Sequence, residues 1–508
     1  MFERIVVIVL MSILVVPGSR AHAAAGTHLF WSDNGHLTRQ ARELADVLGA
    51  AADEGLRPGD YMADAIAAQI VRLSAPPNDS AVDWPAFDRL LSTEAIHIAT
   101  DLHLGRIDPR AAGFELKQSR PPIDPAATLV ALSTAPDLRA AVAKLEPPFY
   151  HYRLLKAALA RYRILAADPS LTGIPPIGRQ SLGAGDAYDG APALRRLLTA
   201  LGDLRADSAV PDAYRNRLDP LTVDALKRFQ TRHGLAPEGS LGAQTYAQLT
   251  MPLAQRVRQI ELTLERWRWL PPFDSPPIIV NIPQFRLFAF RTTTDRAADI
   301  MQMDVIVGQT YPRTRTPVFV GDLKYVIFRP YWDVPRSIVE REMLPAIARH
   351  PEYLERNKLD IVEGESDAGA VRPANAASID GLRSGRLRLR QRPGDDNALG
   401  LIKFIFPNEH NVYMHSTPAH RLFMQSRRAF SHGCIRVSDP NALAAFVLRN
   451  AAGAWTPEAI LAAMQHGPNS ARVPLDKPIR VMILYATAQA RPVLRKNRRR
   501  SGDESGPR

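Results

Sequence analysis

With 508 residues and 46% hydrophobic side chains, the chain is too long for one core and apolar enough to fill several, so roughly three domains are expected. Lysine and arginine (64) outnumber aspartate and glutamate (52), and the formal charge of +12 points to an anionic partner: nucleic acid, a membrane surface or a carboxylate-rich polymer. No nucleic-acid motif is present and basic residues do not alternate with aromatics, which sets nucleic acid aside.

Residues 1–23 read as an export signal. Arg4 supplies a positive start, Ile5 to Val16 is a short apolar run, Pro17 and Gly18 break it, and Ala21-His22-Ala23 fits a small-x-small cleavage site. An uncleaved segment would instead attach the chain to the membrane. Either way the body is expected outside the cytoplasm. Residues 27–180 carry apolar residues at three- and four-residue spacing and predict a helical domain without a catalytic constellation. Pro169 to Pro192 is rich in glycine and proline and reads as a linker. Residues 185–250 predict a compact three-helix unit. Its second helix is capped by Asp219 with Pro220 at the first helical position, and it stops at Gly234. The paired runs "ALKRFQTRHGL" and "EGSLGAQTYAQL" resemble the peptidoglycan-binding domain of cell-wall enzymes.

From Pro276 the pattern turns to strands: "PIIVNIPQFRLFAF" with a turn near Pro283, then "MQMDVIVG", "KYVIFRPYW" and "IKFIFP". An insertion spans residues 337–400. It opens with Ser337 and Glu340 at capping-box spacing, continues as short helical pieces, and ends polar and arginine-rich. Its length suits a lid, with a decorative excursion as the alternative. Beyond residue 440 two helices are expected, the second with Thr456 as N-cap, and then a strand in "PIRVMILYATA". Residues 489–508 are poor in apolar side chains and read as a disordered basic tail. The fold class is therefore α+β and multidomain.

Cys434 is the single cysteine of the chain. In an oxidising compartment it cannot form a disulfide within its own chain, so the thiol is either buried and inert or chemically used. A free thiol titrates near about 8.5 and needs a base, a group to orient that base, and donors for an oxyanion before it can attack an amide. Two histidines are candidates. His432 is almost adjacent, and His415 ends a strand-like run. Gly433 permits a tight turn whose N–H groups could face an oxyanion. A zinc site built from Cys434, His432, His415 and His410 matches no zinc spacing.

His415, fifteen intervening residues, and then Ser431-His432-Gly433-Cys434 resemble the signature of the L,D-transpeptidases, with Arg436 where that family commonly has Arg or Asn. Together with "RPYWDVPRSI", the insertion, "LGLIKFIFPNEHNVYMHSTP" and "VPLDKPIRVMILY", the chain is similar to the long periplasmic branch of the family over residues 276–488. Such members join a helical scaffold, a peptidoglycan-binding domain and a mostly β catalytic domain with a capping insertion.

The resemblance implies Cys434 as nucleophile and His415 as proton acceptor and donor, without a cofactor or metal. Peptidoglycan stem peptides are the implied substrate, 3→3 cross-links the product, and carbapenem β-lactams the inhibitors. It further implies that the Ser416 carbonyl orients His415 and that N–H groups of Gly433 and Cys434 hold the oxyanion. Ser431, His432 and Arg436 would support the loop, though Arg436 could simply hold a structural carboxylate. Ser416 replaces the Gly or Asp often found after the base, which leaves only a backbone role there. Trp332 and Tyr413 are candidate substrate contacts or plain packing. Two other outcomes stay open: hydrolysis of the same thioester as an L,D-carboxypeptidase, or transfer of stems to a protein amine. A wall-binding scaffold with an incidental thiol is the non-enzymatic alternative.

Overall fold

The computed structural model describes residues 29–74, 83–116, 120–208, 210–292, 300–309, 314–350 and 352–490. The expected export signal and residues 491–508 of the expected tail lie outside the described residues. No helix among the described residues is long and apolar enough to cross a membrane.

The architecture is α+β and multidomain, as the pattern predicts. In the N-terminal domain, helices Arg39–Gly49, Ala63–Ser74, Trp84–Leu104, Pro125–Ser133 and Leu138–Ala143 pack around Trp31, Leu44, Leu48, Tyr61 and Leu91. Thr38, Asp83, Asp124 and Asp137 cap four of them through side-chain oxygens, satisfying N–H groups that a helix start leaves without partners. Helix Tyr150–Ala166 pairs with Leu253–Arg268, and their apolar faces share a core with Ile279, Met482 and Leu484 of the β domain. Arg268 is buried there, bonded to Glu265 Oε2 and to the Tyr152 hydroxyl, both at 3.0 Å. This helix pair thus packs directly against the β domain.

The middle unit holds helices Ala191–Leu201, Pro220–Arg232 and Ala243–Leu249. Asp219 accepts from the N–H groups of Leu221 and Thr222 at 2.9 and 3.0 Å, as its N-cap position predicts. The expected linker needs correction. Leu171, Ile174 and Leu182 belong to the core of this unit, and Ser181–Leu182 pairs with Leu241–Gly242. Glycine and proline break regular structure, yet the apolar residues between them still find a core.

The β domain is built from strands β1 (Ile278–Asn281), β2 (Arg286–Ala289), β3 (Met301–Gly308) and β4 (Val320–Phe328), followed after the insertion by the rest. The insertion has its own antiparallel sheet of β5 (Trp332–Asp333), β6 (Leu359–Glu363), β7 (Ala370–Arg372) and β8 (Arg388–Gln391). Then come β9 (Ile402–Ile405), β10 (Met414–His415), β11 (Ala429–Ser431), β12 (Ile435–Val437) and β13 (Ala471–Leu484). The main sheet runs β11-β3-β12-β10-β9-β4-β13-β1-β2, and β2 pairs back to β3, so the sheet closes around an apolar core.

The insertion differs from its sequence reading in two ways. Its arginine-rich end forms a strand, because Leu389 is fully buried in a small core while Arg388 pairs with Asp333 and Arg390 stacks over Tyr331 at 4.2 Å. The capping box is absent. Pro335 precedes the first helical turn without a side-chain cap, and Glu340 binds Arg336 instead at 2.6 Å.

Candidate active site

Alternation across three neighbouring strands sets the face on which the chemistry lies. Ile402 and Phe404 of β9, Met414 of β10, and Ile435 and Val437 of β12 are fully buried in the barrel core. The side chains between them must point the other way. Register then places Lys403 opposite His415 and His415 opposite Arg436, so one imidazole lies between two cations. Tyr413 and Cys434 precede Met414 and Ile435 by one residue and join the same face, with the Ile435 N–H donating to the Tyr413 carbonyl at 3.0 Å.

His415 is buried at 4% exposure, and its Nδ1 lies 2.5 Å from the Ser416 carbonyl oxygen. With Nδ1–H donating there, Nε2 keeps its lone pair. Burial, then the Arg436 charge, hold its pKa down at about 3, with Lys403 adding to the effect; the Ser416 and Leu399 carbonyls act in the opposite direction. Gly400 makes the tight packing behind Ser416 possible. Its φ is +61°, and a Cβ there would lie 2.6 Å from the Ser416 Cβ.

Cys434 is half-buried, and its thiol donates to the Asn411 carbonyl at 3.6 Å. Burial pushes the thiol pKa up, while the Tyr413 N–H and hydroxyl, Lys403 and Arg436 draw it down. No hydrogen bond joins Sγ to His415 among the described residues, so the sulfur must rotate before it can hand over a proton.

The loop carrying the thiol is tied on several sides. Ser431 Oγ donates to the Cys434 carbonyl at 2.5 Å and accepts from the Gly433 N–H at 3.2 Å. Buried Thr316 donates to the Gly433 carbonyl at 2.7 Å and accepts from the Gly308 N–H at 2.8 Å. Gly433 sits at φ +122°, a conformation L side chains rarely adopt. The expected pair of oxyanion donors therefore reduces to one. The Gly433 N–H is engaged by Ser431, which leaves that of Cys434.

His432 is not brought to the thiol. It is exposed, with Nε2 2.7 Å from Glu342 of the insertion. Nor does the set Cys434, His432, His415 and His410 gather. Among the described residues, the one group of metal-ligating side chains close enough to share a cation is Glu115, Glu409 and His410, whose two carboxylates are exposed.

Between the insertion and the strands lies a cavity of about 310 Å3, walled by Trp332, Met343, Tyr353, Asn357 and Gln391 on one side and by Thr417 and Arg436 on the other. Arg436 Nε is buried without a hydrogen-bond partner.

Residues 276–460 match the family model described as the L,D-transpeptidase catalytic domain. The chain carries an L,D-transpeptidase catalytic domain. Residues 19–159 match a scaffold domain and residues 189–249 a domain provisionally described as peptidoglycan binding. The chain is 31% identical over 262 residues to a Haemophilus influenzae protein provisionally named an L,D-transpeptidase, covering 50% of each. It thus spans half the length of that relative. It is also similar at 15% identity to the crystal structure of an L,D-transpeptidase from Xylanimonas cellulosilytica, covering 61% of this chain and 100% of that one with a TM-score of 0.18. A fused zinc-dependent amidase, peptidase and peptidoglycan-binding protein from Clostridium acetobutylicum follows at 14% identity, with 60% and 99% coverage and a TM-score of 0.14. Scores this low carry no argument.

Within the transpeptidase domain, motif reading missed Lys403, Thr316, Gly400 and Glu342. The alternation of "LIKFIF" around Lys403 was the one available signal. The other three act through contacts with segments 16 to 117 residues away, which no local pattern reveals.

Proposed function

We propose that the protein is a peptidoglycan L,D-transpeptidase that forms 3→3 cross-links through a thioester on Cys434, acting in the periplasm. The observation that carries this reading is the shared face of β9, β10 and β12, where a neutral imidazole, a thiol and two cations converge inside a transpeptidase domain.

In the proposed cycle the Cys434 sulfur attacks the amide carbonyl between the third-position diamino acid and a terminal D-alanine of a donor stem. Its proton passes to His415 Nε2 while Nδ1–H stays on the Ser416 carbonyl. The oxyanion is met by the Cys434 N–H. The C–N bond breaks, His415 returns the proton to the leaving amine, and D-alanine departs. The side-chain amine of a second stem then attacks the thioester. A new amide forms, the C–S bond breaks, and the amine proton returns through His415 to sulfur. No step calls for a metal or organic cofactor. The cavity under the insertion is the site for the donor stem, with Trp332 and Tyr353 as its aromatic walls. The middle unit binds the wall polymer, and the basic charge suits a carboxylate-rich substrate.

Mass spectrometry tests this reading directly. Incubation with muropeptides bearing tetrapeptide stems is expected to give a Cys434 adduct that has lost D-alanine, and then a cross-linked dimer. A carbapenem is expected to add its mass once. Adduct and dimer that persist in a folded Cys434→Ala protein overturn the assignment. Release of trimmed monomer alone shows hydrolysis instead of transfer.

A further inference from the structure

Among the described residues, two cations of the transpeptidase face have side chains without a hydrogen bond or ion pair. The Lys403 ammonium lies 5.5 Å from the centre of the Tyr413 ring. The Arg436 Nε is buried without a hydrogen-bond partner. Both side chains are half-buried, so each charge is held partly out of water, and burial pulls both pKa values down. Asp367 draws Lys403 the other way without closing an ion pair. A partly desolvated cation without a counter-charge is unfavourable in the resting protein unless a ligand later supplies one. Here two stand on either side of His415, and the charge of each acts on the thiol as well as the imidazole.

We propose that Lys403, with Arg436, is a carboxylate clamp that reads the free C-terminal carboxylate of the donor stem and so selects stems ending one residue beyond the scissile amide. The inference rests on the transpeptidase reading above. Its chemistry follows from connectivity. In a stem ending in D-alanine, only the amide nitrogen and one α-carbon separate the scissile carbonyl from the terminal carboxylate. A carbonyl seated at Sγ therefore carries that carboxylate into the immediate surroundings of the sulfur, where Lys403 and Arg436 are the cations. Arg436 also lines the cavity that would receive the rest of the stem. A stem one residue longer offers a neutral amide at this position. Two desolvated cations then stay unmatched, and the longer stem is rejected.

The test compares two synthetic tetrapeptide muropeptides, one with a free terminal carboxylate and one with a terminal carboxamide, as donors for wild type, Lys403→Met and Lys403→Arg. Wild type is expected to prefer the carboxylate by about tenfold or more in kcat/KM, the scale of a charge-assisted hydrogen bond. Lys403→Met should lose most of that preference, mainly through the carboxylate substrate, and Lys403→Arg should recover part of it. Circular dichroism and labelling of Cys434 by a neutral thiol reagent establish that each variant is folded with its thiol accessible. A labelled, active Lys403→Met protein that keeps the full preference overturns the clamp, as does a wild type that turns over both donors equally. A wild type that turns over neither counts against the peptidoglycan reading itself, and the clamp falls with it.

Discussion

At the scale of single residues, the two histidines near the thiol part ways. His415 is buried, fixed by the Ser416 carbonyl, and on the face of the thiol; His432 points outward to Glu342. Replacing His415 by Ala is therefore expected to slow acylation by a carbapenem about a thousandfold or more near neutral pH, the scale of losing a triad base. His432→Ala should stay within about tenfold, because it removes only a loop contact. The same series has a pH signature. His415 titrates at about 3 because burial and Arg436 oppose its charged form. The second-order acylation rate of the wild type should then be level from about pH 5 to 8, with no inflection near the ordinary histidine range. A clear limb near pH 6.5 would contradict a base held neutral in this way. Rescue of His415→Ala by alkali should begin only above the ordinary thiol range, since burial raises the Cys434 pKa.

At the scale of elements, the insertion meets the loop that carries the thiol through the Glu342–His432 contact. Glu342 lies in a π-helical stretch, Val339–Met343, a form of helix often found at functional sites. Both side chains are well exposed, so the pair adds little to stability. Its removal is a clean test of whether the insertion positions the donor stem. Glu342→Gln should leave the thermal midpoint within about 1–2 °C while raising KM for muropeptides about threefold or more. Equal effects on melting and turnover would instead mark a structural strut. The element scale also shows where sequence reading stops. The strands of "PIIVNIPQFRLFAF", "MQMDVIVG" and "IKFIFP" were legible because apolar side chains alternate, and each is found as a strand. The arginine-rich β8 was not, since one buried leucine among long polar side chains gives a weak alternation.

At the scale of the whole molecule, buried neutral histidines link stability to pH. His415 and His233 are held at about 3 and His151 at about 4, in each case chiefly by burial. Their folded values lie below the unfolded value, so the stabilising effect is full above about pH 6.5 and is lost as pH falls toward 3–4. Buried Glu54 and Asp101, whose pKa values burial raises, act in the opposite direction. The informative quantity is therefore a difference. For His415 alone the loss at pH 5 is about 2 kcal/mol, so His415→Ala should show a shallower fall in melting temperature between pH 7 and pH 5 than wild type. Identical slopes would show that His415 is not held neutral. The middle unit has a core of its own, from Leu171 to Leu249. Residues 169–250, once shown to be folded by circular dichroism, are expected to sediment with peptidoglycan sacculi at both low and higher salt; binding that vanishes at higher salt would be charge attraction alone.

The sequence by itself determined most of the elements and singled out a candidate pair of thiol and base. Helical spacing, strand alternation and the Ser-His-Gly-Cys run are local patterns, and local patterns survive in one dimension. His415 and Cys434 could be named because a thiol needs a base and few residues qualify. What only the tertiary structure decided is everything that depends on register. Closure of the barrel, with β10 between β9 and β12, puts Lys403 and Arg436 on either side of His415, although 33 positions separate the two cations along the chain. Folding also turned His432 outward and carried Thr316 under Gly433 from 117 residues away. The physical reason is that a side-chain pattern specifies which face of a strand is buried, whereas the neighbour on that face is chosen by the pairing of strands distant in the chain.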